Sequence, residues 1–85
     1  MFYQIYKAKD PDFPKFFYTY NPITGTYVKG LDWKDALTLI SRNPAIRARL
    51  YHRLDISTFA KLVKTTTIPA TSEAEDRNNY PELFI

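Results

Sequence analysis

Ten of the fourteen aromatic residues lie between Phe2 and Trp33, whereas helical spacings of apolar residues begin only at Trp33. A chain written this way builds a sheet first and packs helices on it afterwards. Phe2 to Ala8 reads as a strand, rich in aromatic residues that suit a pleated, half-buried surface. Lys9-Asp10-Pro11-Asp12-Phe13-Pro14 reads as a connection, because proline fixes φ and aspartate favours turns. From Lys15 to Tyr20 the period is two, with Phe16, Tyr18 and Tyr20 on one face and Phe17 and Thr19 on the other. Asn21-Pro22-Ile23-Thr24-Gly25 reverses the chain into a third strand, Thr26 to Lys29, and Gly30 frees the backbone to leave the sheet.

Asp32 is a good N-cap, with Asp35 adding negative charge to the first turn. Trp33, Ala36, Leu37 and Ile40 make one apolar stripe on a helix running to about Arg42. Asn43-Pro44 starts a second helix, in which Ile46, Leu50, Tyr51 and Leu54 share a side. Asp55 caps a third, with Ile56, Phe59, Ala60 and Val63 at helical spacing. Thr65 to Thr71 is β-branched and broken by Pro69, so it leaves that helix as an extended segment. Ser72 and Glu75 have capping-box spacing and permit one more short helical turn.

The expectation is an α+β fold: a three-stranded antiparallel β-meander over about 2–29, then two or three short α-helices over about 32–64. Residues 1–71 form a single compact domain, and 72–85 an acidic C-terminal tail whose apolar end, Leu83-Phe84-Ile85, docks on the body or on another chain. With 85 residues there is room for one core and none for a deep substrate cavity. No cysteine is present, so neither disulfides nor thiolate zinc sites are available. No apolar run approaches the roughly 18 residues of a membrane span, and Met1-Phe2-Tyr3-Gln4 lacks a secretory signal's features. A cytoplasmic location is expected, that of the host cell if the chain is phage-encoded.

Catalytic chemistry finds no support. His52 is the one histidine, which excludes histidine pairs and multi-histidine zinc sites. The serines fall at helix or cap positions, the aspartates at turns and helix starts, and two glycines cannot build a phosphate-cradling loop. No enzyme activity, cofactor or metal is expected.

The charge is divided unevenly. Residues 1–41 carry five lysines against four aspartates, a balance of +1. Residues 42–64 carry four arginines and two lysines against Asp55, a balance of +5, and the remainder holds Arg77 against four acids, a balance of −3. Arg42, Arg49, His52 and Arg53 form either a solvated helix face or a docking surface for anions, arginine offering a bidentate fork to phosphate or carboxylate. Arg47, nearer the apolar stripe, reads as structural. Aromatics on both faces of the sheet exceed what one core layer buries, so some of Tyr18, Tyr20 and Tyr27 are expected outside, ready to meet a partner or, with Tyr3, to stack bases. A helix-turn-helix is excluded, because the segment after the third helix carries Glu73, Glu75 and Asp76, which DNA repels.

The stretch Tyr18-Thr19-Tyr20-Asn21-Pro22-Ile23-Thr24-Gly25-Thr26-Tyr27-Val28-Lys29 before a helix resembles the small three-stranded DNA-binding domains of phage-type integrases. Those domains pair such a proline-x-threonine-glycine turn with a sheet and a following helix, which implies DNA contact by the sheet. The likeness covers about a third of the chain. It departs in the strand after the turn, which has only Lys29 where that family is strongly basic. In size and texture the chain is also similar to phage-encoded inhibitors of host machinery or defence complexes.

The function expected is a small non-enzymatic binding protein that docks on a protein partner, or a nucleoprotein complex, through exposed aromatics and a basic helix. It would act as a phage-type inhibitor or regulator of a host nucleic-acid-associated, anti-defence kind. The alternatives are direct DNA or RNA binding by the same surfaces, and self-assembly into a homo-oligomer through the C-terminal end. No membrane partner is expected.

Overall fold

The computed structural model of the chain describes residues 1–12, 15–42 and 54–84. They form a small α+β fold with a four-stranded antiparallel sheet and two α-helices. The strands are β1 (Phe2–Ala8), β2 (Phe17–Asn21), β3 (Thr26–Gly30) and β4 (Ala60–Pro69), arranged β3-β2-β1-β4. Helix α1 spans Trp33–Arg42 and α2 spans Glu73–Asn79, with 3₁₀ turns at Ile56–Thr58 and Pro81–Phe84.

The meander follows its local chemistry. Asp12 N–H donates to Asp10 Oδ1 at 2.9 Å in the first connection, and Ile23 N–H donates to Asn21 Oδ1 at 3.0 Å in the second. Gly25 then takes φ 72°, a left-handed conformation that glycine adopts without penalty. Gly30 has a role other than release from the sheet. A Cβ there would stand 3.1 Å from both Ala36 N and Asp35 Oδ2, so the missing side chain is what lets α1 approach β3. Asp32 caps α1 as expected, accepting from Asp35 N–H at 2.7 Å, while Asp35 Oδ2 accepts from Leu31 N–H at 2.9 Å.

Helix α1 packs on one sheet face, placing Ala36 and Ile40 against Tyr3 and Ile5, with Phe17, Trp33, Ile68 and Ala70 around them. Buried Thr19, paired with Ile5, donates its hydroxyl to Ala36 O at 3.0 Å. The opposite face carries a second core of Tyr27, Ile56 and Ala60, with Tyr6, Tyr18, Tyr20 and Phe59 partly buried against it.

The expected third helix is corrected. Asp55 does cap its start, accepting from Ser57 N–H at 3.0 Å, but only the 3₁₀ turn Ile56–Thr58 follows. From Ala60 the chain is strand β4, paired antiparallel to β1. The helical spacing of Ile56, Phe59, Ala60 and Val63 competes with the β-branched run Val63, Thr65, Thr66, Thr67 and Ile68, and the open edge of β1 decides the outcome. Pairing jumps from Tyr6↔Leu62 to Ile5↔Lys64, leaving Val63 as a bulge. At a second irregularity buried Thr66 donates its hydroxyl to Tyr3 O at 2.8 Å and accepts from Ile68 N–H at 3.2 Å. The sheet therefore has four strands rather than three.

Ser72 caps α2, accepting from Glu75 N–H at 3.1 Å, as the capping-box spacing implies. Most of the expected second helix, residues 43–53, lies outside the described residues. Among the described residues no helix is long and apolar enough to cross a membrane.

Candidate functional site

The sheet's second face is the candidate site. Strand alternation and register place two cross-strand rows on it. One runs Lys29, Tyr18, Tyr6, Leu62, and the next runs Tyr27, Tyr20, Gln4, Thr65. The rings meet edge to face: Tyr6 and Tyr20 have centroids 5.4 Å apart at 78°, and Tyr18 and Tyr27 6.0 Å apart at 76°. Such pairs are worth about 0.5–1.5 kcal/mol each beyond the area they bury.

One side of this face is closed by the chain entering β4. Phe59 packs edge-on to Tyr18 at 5.1 Å and lies 5.2 Å from Tyr27, and Lys9 anchors the segment from below. Its ammonium donates to Ser57 O at 2.6 Å, and its N–H to Phe59 O at 3.0 Å. Tyr27, clustered with Ile56 and Ala60, is 3 % exposed, which corrects its expected place among the outward tyrosines. Tyr18 and Tyr20 are half-buried, each retaining solvent access, so they match the expectation in part. Tyr3 is 1 % exposed on the α1 face and cannot stack a base.

Burial pushes the phenol pKa of Tyr6 above its ordinary value, aided by the negative charge that Tyr20 and Asp55 would place nearby. Burial alone raises that of Tyr18. Both hydroxyls are therefore neutral donors through the physiological range. Tyr6 Oη donates to Gln4 Oε1 at 3.3 Å. At the rim the Lys29 ammonium sits 3.6 Å from the centre of the Phe16 ring, a cation–π contact. Exposed Phe2 and Leu62 border the tyrosines on the β1–β4 side.

Tyr6 and Leu62 were not among the sequence candidates. Tyr6 shares the parity of Phe2 and Gln4 along β1, but only the register with Tyr18 reveals a common face. Leu62 was hidden by the helical reading of its segment. Of the basic candidates, Arg49, His52 and Arg53 lie outside the described residues, and Arg42 is described only as the last residue of α1. Arg47 also lies outside them.

Among the described residues no group of three or more His, Cys, Asp or Glu stands close enough to hold a metal. What the arrangement supplies is an amphipathic surface with ring edges, hydroxyl donors and a short apolar border. In comparisons with known proteins, no family model, no curated protein and no solved structure matches this chain.

Proposed function

We propose that this chain is a small non-enzymatic binding protein that docks on a protein partner through Tyr6, Tyr18 and Tyr20, with Leu62 and Phe2 at the border. The observation that carries the reading is the pairing of half-open tyrosines in adjacent cross-strand rows, held by edge contacts. Tyrosine joins apolar area to a hydrogen-bonding tip. Within the described rows the one ammonium, Lys29, lies at the rim, a composition nearer to a protein-binding face than to a phosphate track. A role as a phage-type inhibitor or regulator of a host nucleic-acid-associated complex accords with the chain's size and divided charge.

A photo-cross-linking amino acid at position 20, compared with the same group at exposed Lys34 on α1, tests the reading. Partner adducts from position 20 alone, sensitive to protease and indifferent to nuclease, are expected. Equal adducts from both positions would reject it. Direct nucleic-acid binding is the second reading, favoured by the exposed lysines Lys7, Lys61 and Lys64 on the neighbouring strands. It requires retardation of arbitrary strands at low salt that weakens steeply as salt rises.

A further inference from the structure

The two edges of the sheet are unlike. On β3, Thr26, Tyr27 and Val28 are 4, 3 and 6 % exposed, and Gly30 is buried under α1. On β4, the five consecutive residues Lys61 to Thr65 are all exposed, including Leu62 at 45 % and Val63 at 49 %. Among the described residues β4 pairs with β1 alone, so its outer row of amides and carbonyls has no strand beside it. An unpaired edge is a template for another strand, and its charged side chains and bulges, here Lys61, Lys64 and Val63, restrict what can join it.

Charge supplies the selection. Lys61 pairs with Lys7, and Lys64 with Ile5, which places three exposed lysines on the α1 side of the sheet. Like charges directly opposite are unfavourable, and no described ion pair relieves them. On the other side of the same strand stand Leu62 and Thr65, continuing the rows of Tyr6 and Gln4. A second copy of β4 would bring further lysines against these and is disfavoured. The chain's own acidic segment is engaged in α2, where Glu73 pairs with Arg77 at 3.5 Å and Asp76 is buried.

We infer that the outer edge of β4 accepts, as a fifth strand, an extended protein segment in which carboxylates alternate with apolar residues. The carboxylates lie beside Lys61 and Lys64, and the apolar side chains fall beside Leu62 and extend the aromatic face. Backbone pairing supplies the attachment, and the alternation matches the period of a strand. The inference goes beyond the aromatic-face reading, since it rests on the strand edge and stands even if cross-linking at position 20 fails.

The probe is a blocked peptide of about eight residues, within the ordinary range of strand lengths, alternating Glu and Val, with the Lys and Val peptide as control. Each is titrated into the isotope-labelled full chain and followed by amide chemical shifts and hydrogen exchange. Shifts and slowed exchange confined to residues 61–67 and their neighbours are expected, with the Glu peptide bound at least about tenfold tighter than the Lys peptide at low salt. Lys61→Glu with Lys64→Glu inverts the preference, and methylating every second peptide nitrogen abolishes binding. Should the double variant fail to fold, weakening of Glu-peptide binding by added salt in the unaltered chain takes its place as the required result. Equal affinity for both peptides, shifts elsewhere or none, or β4 shifts that grow with protein concentration alone, as pairing with a second copy would give, overturn the inference.

Discussion

Tyr3 and Thr71, 68 positions apart, share a hydroxyl-to-hydroxyl hydrogen bond of 2.9 Å. Asn21 joins them, its Nδ2 donating to Thr71 O at 2.8 Å while its Oδ1 shapes the hairpin turn. Ala70 N–H donates to Met1 O at 2.9 Å alongside. The first strand, the hairpin and the segment just after β4 are thus tied at one part-buried point. Tyr3→Phe is expected to cost about 1 kcal/mol, because Thr71 can turn its hydroxyl elsewhere, whereas Asn21→Ala is expected to cost about 2–3 kcal/mol by leaving a part-buried carbonyl and a turn amide unserved. Urea titrations of both variants check the order, and an Asn21→Ala cost no larger than that of Tyr3→Phe would refute the shared node.

The two glycines are expected to fail for different reasons. Gly30→Ala drives a methyl to 3.1 Å from the α1 backbone and should cost about 1–3 kcal/mol through displaced packing. Gly25→Ala has open space but a φ of 72°, costing about 1 kcal/mol of backbone strain. Asparagine separates them: it tolerates the left-handed region, so Gly25→Asn should recover most of the loss while Gly30→Asn should be worse than Gly30→Ala. Thermal unfolding of the four variants decides.

Phe59→Ala removes the ring that meets Tyr18 and Tyr27, and a loss of about 2–4 kcal/mol is expected for this partly buried side chain. The same variant should open the aromatic face and lower the Tyr18 pKa toward its ordinary value, since burial is what raises it. An ultraviolet titration that leaves Tyr18 unchanged in the variant would show that Phe59 is not its cover.

Burial raises the phenols of Tyr3, Tyr6 and Tyr18 above their unfolded value of about 10. Groups raised in this way favour the neutral form in the fold. Their stabilisation is complete below pH about 10 and is lost as pH climbs through the higher folded values. Stability measured in urea is therefore expected to fall on the alkaline side, less so in Tyr3→Phe. Indifference of the slope to that substitution would contradict the assignment.

Asp55 shows the opposite sign. The Ser57 hydroxyl, at 2.8 Å, and then its amide hold the carboxyl below the usual carboxylate range. Its contribution is present above the unfolded pKa and disappears as pH falls through the folded one. Asp55→Asn, which keeps an accepting oxygen but not the charge, should flatten that acid limb by lowering stability at neutral pH toward its acid-side value, and Ser57→Ala should shrink it.

What could be read from the chain alone is what its residues decide locally. Asn21 to Gly25 shapes its own turn, and Asp32, Asp55 and Ser72 each cap the amides next to them, because these bonds close within a few residues. The alternation from Phe16 to Tyr20 likewise sorted two faces correctly before either had a cover. Tertiary structure alone decided the rest. Residues 60–64 satisfy helical spacing yet extend toward a β-branched run, and the tie is broken by β1, whose open edge offers backbone partners some sixty positions earlier in the chain. Which tyrosines face solvent depended on the same event. Tyr18, Tyr20 and Tyr27 all lie on one sheet face, and the segment from Ile56 to Ala60 packs across it, with Tyr27 buried and Tyr18 and Tyr20 half open. Burial is a property of what arrives from far along the chain, and no local pattern records it.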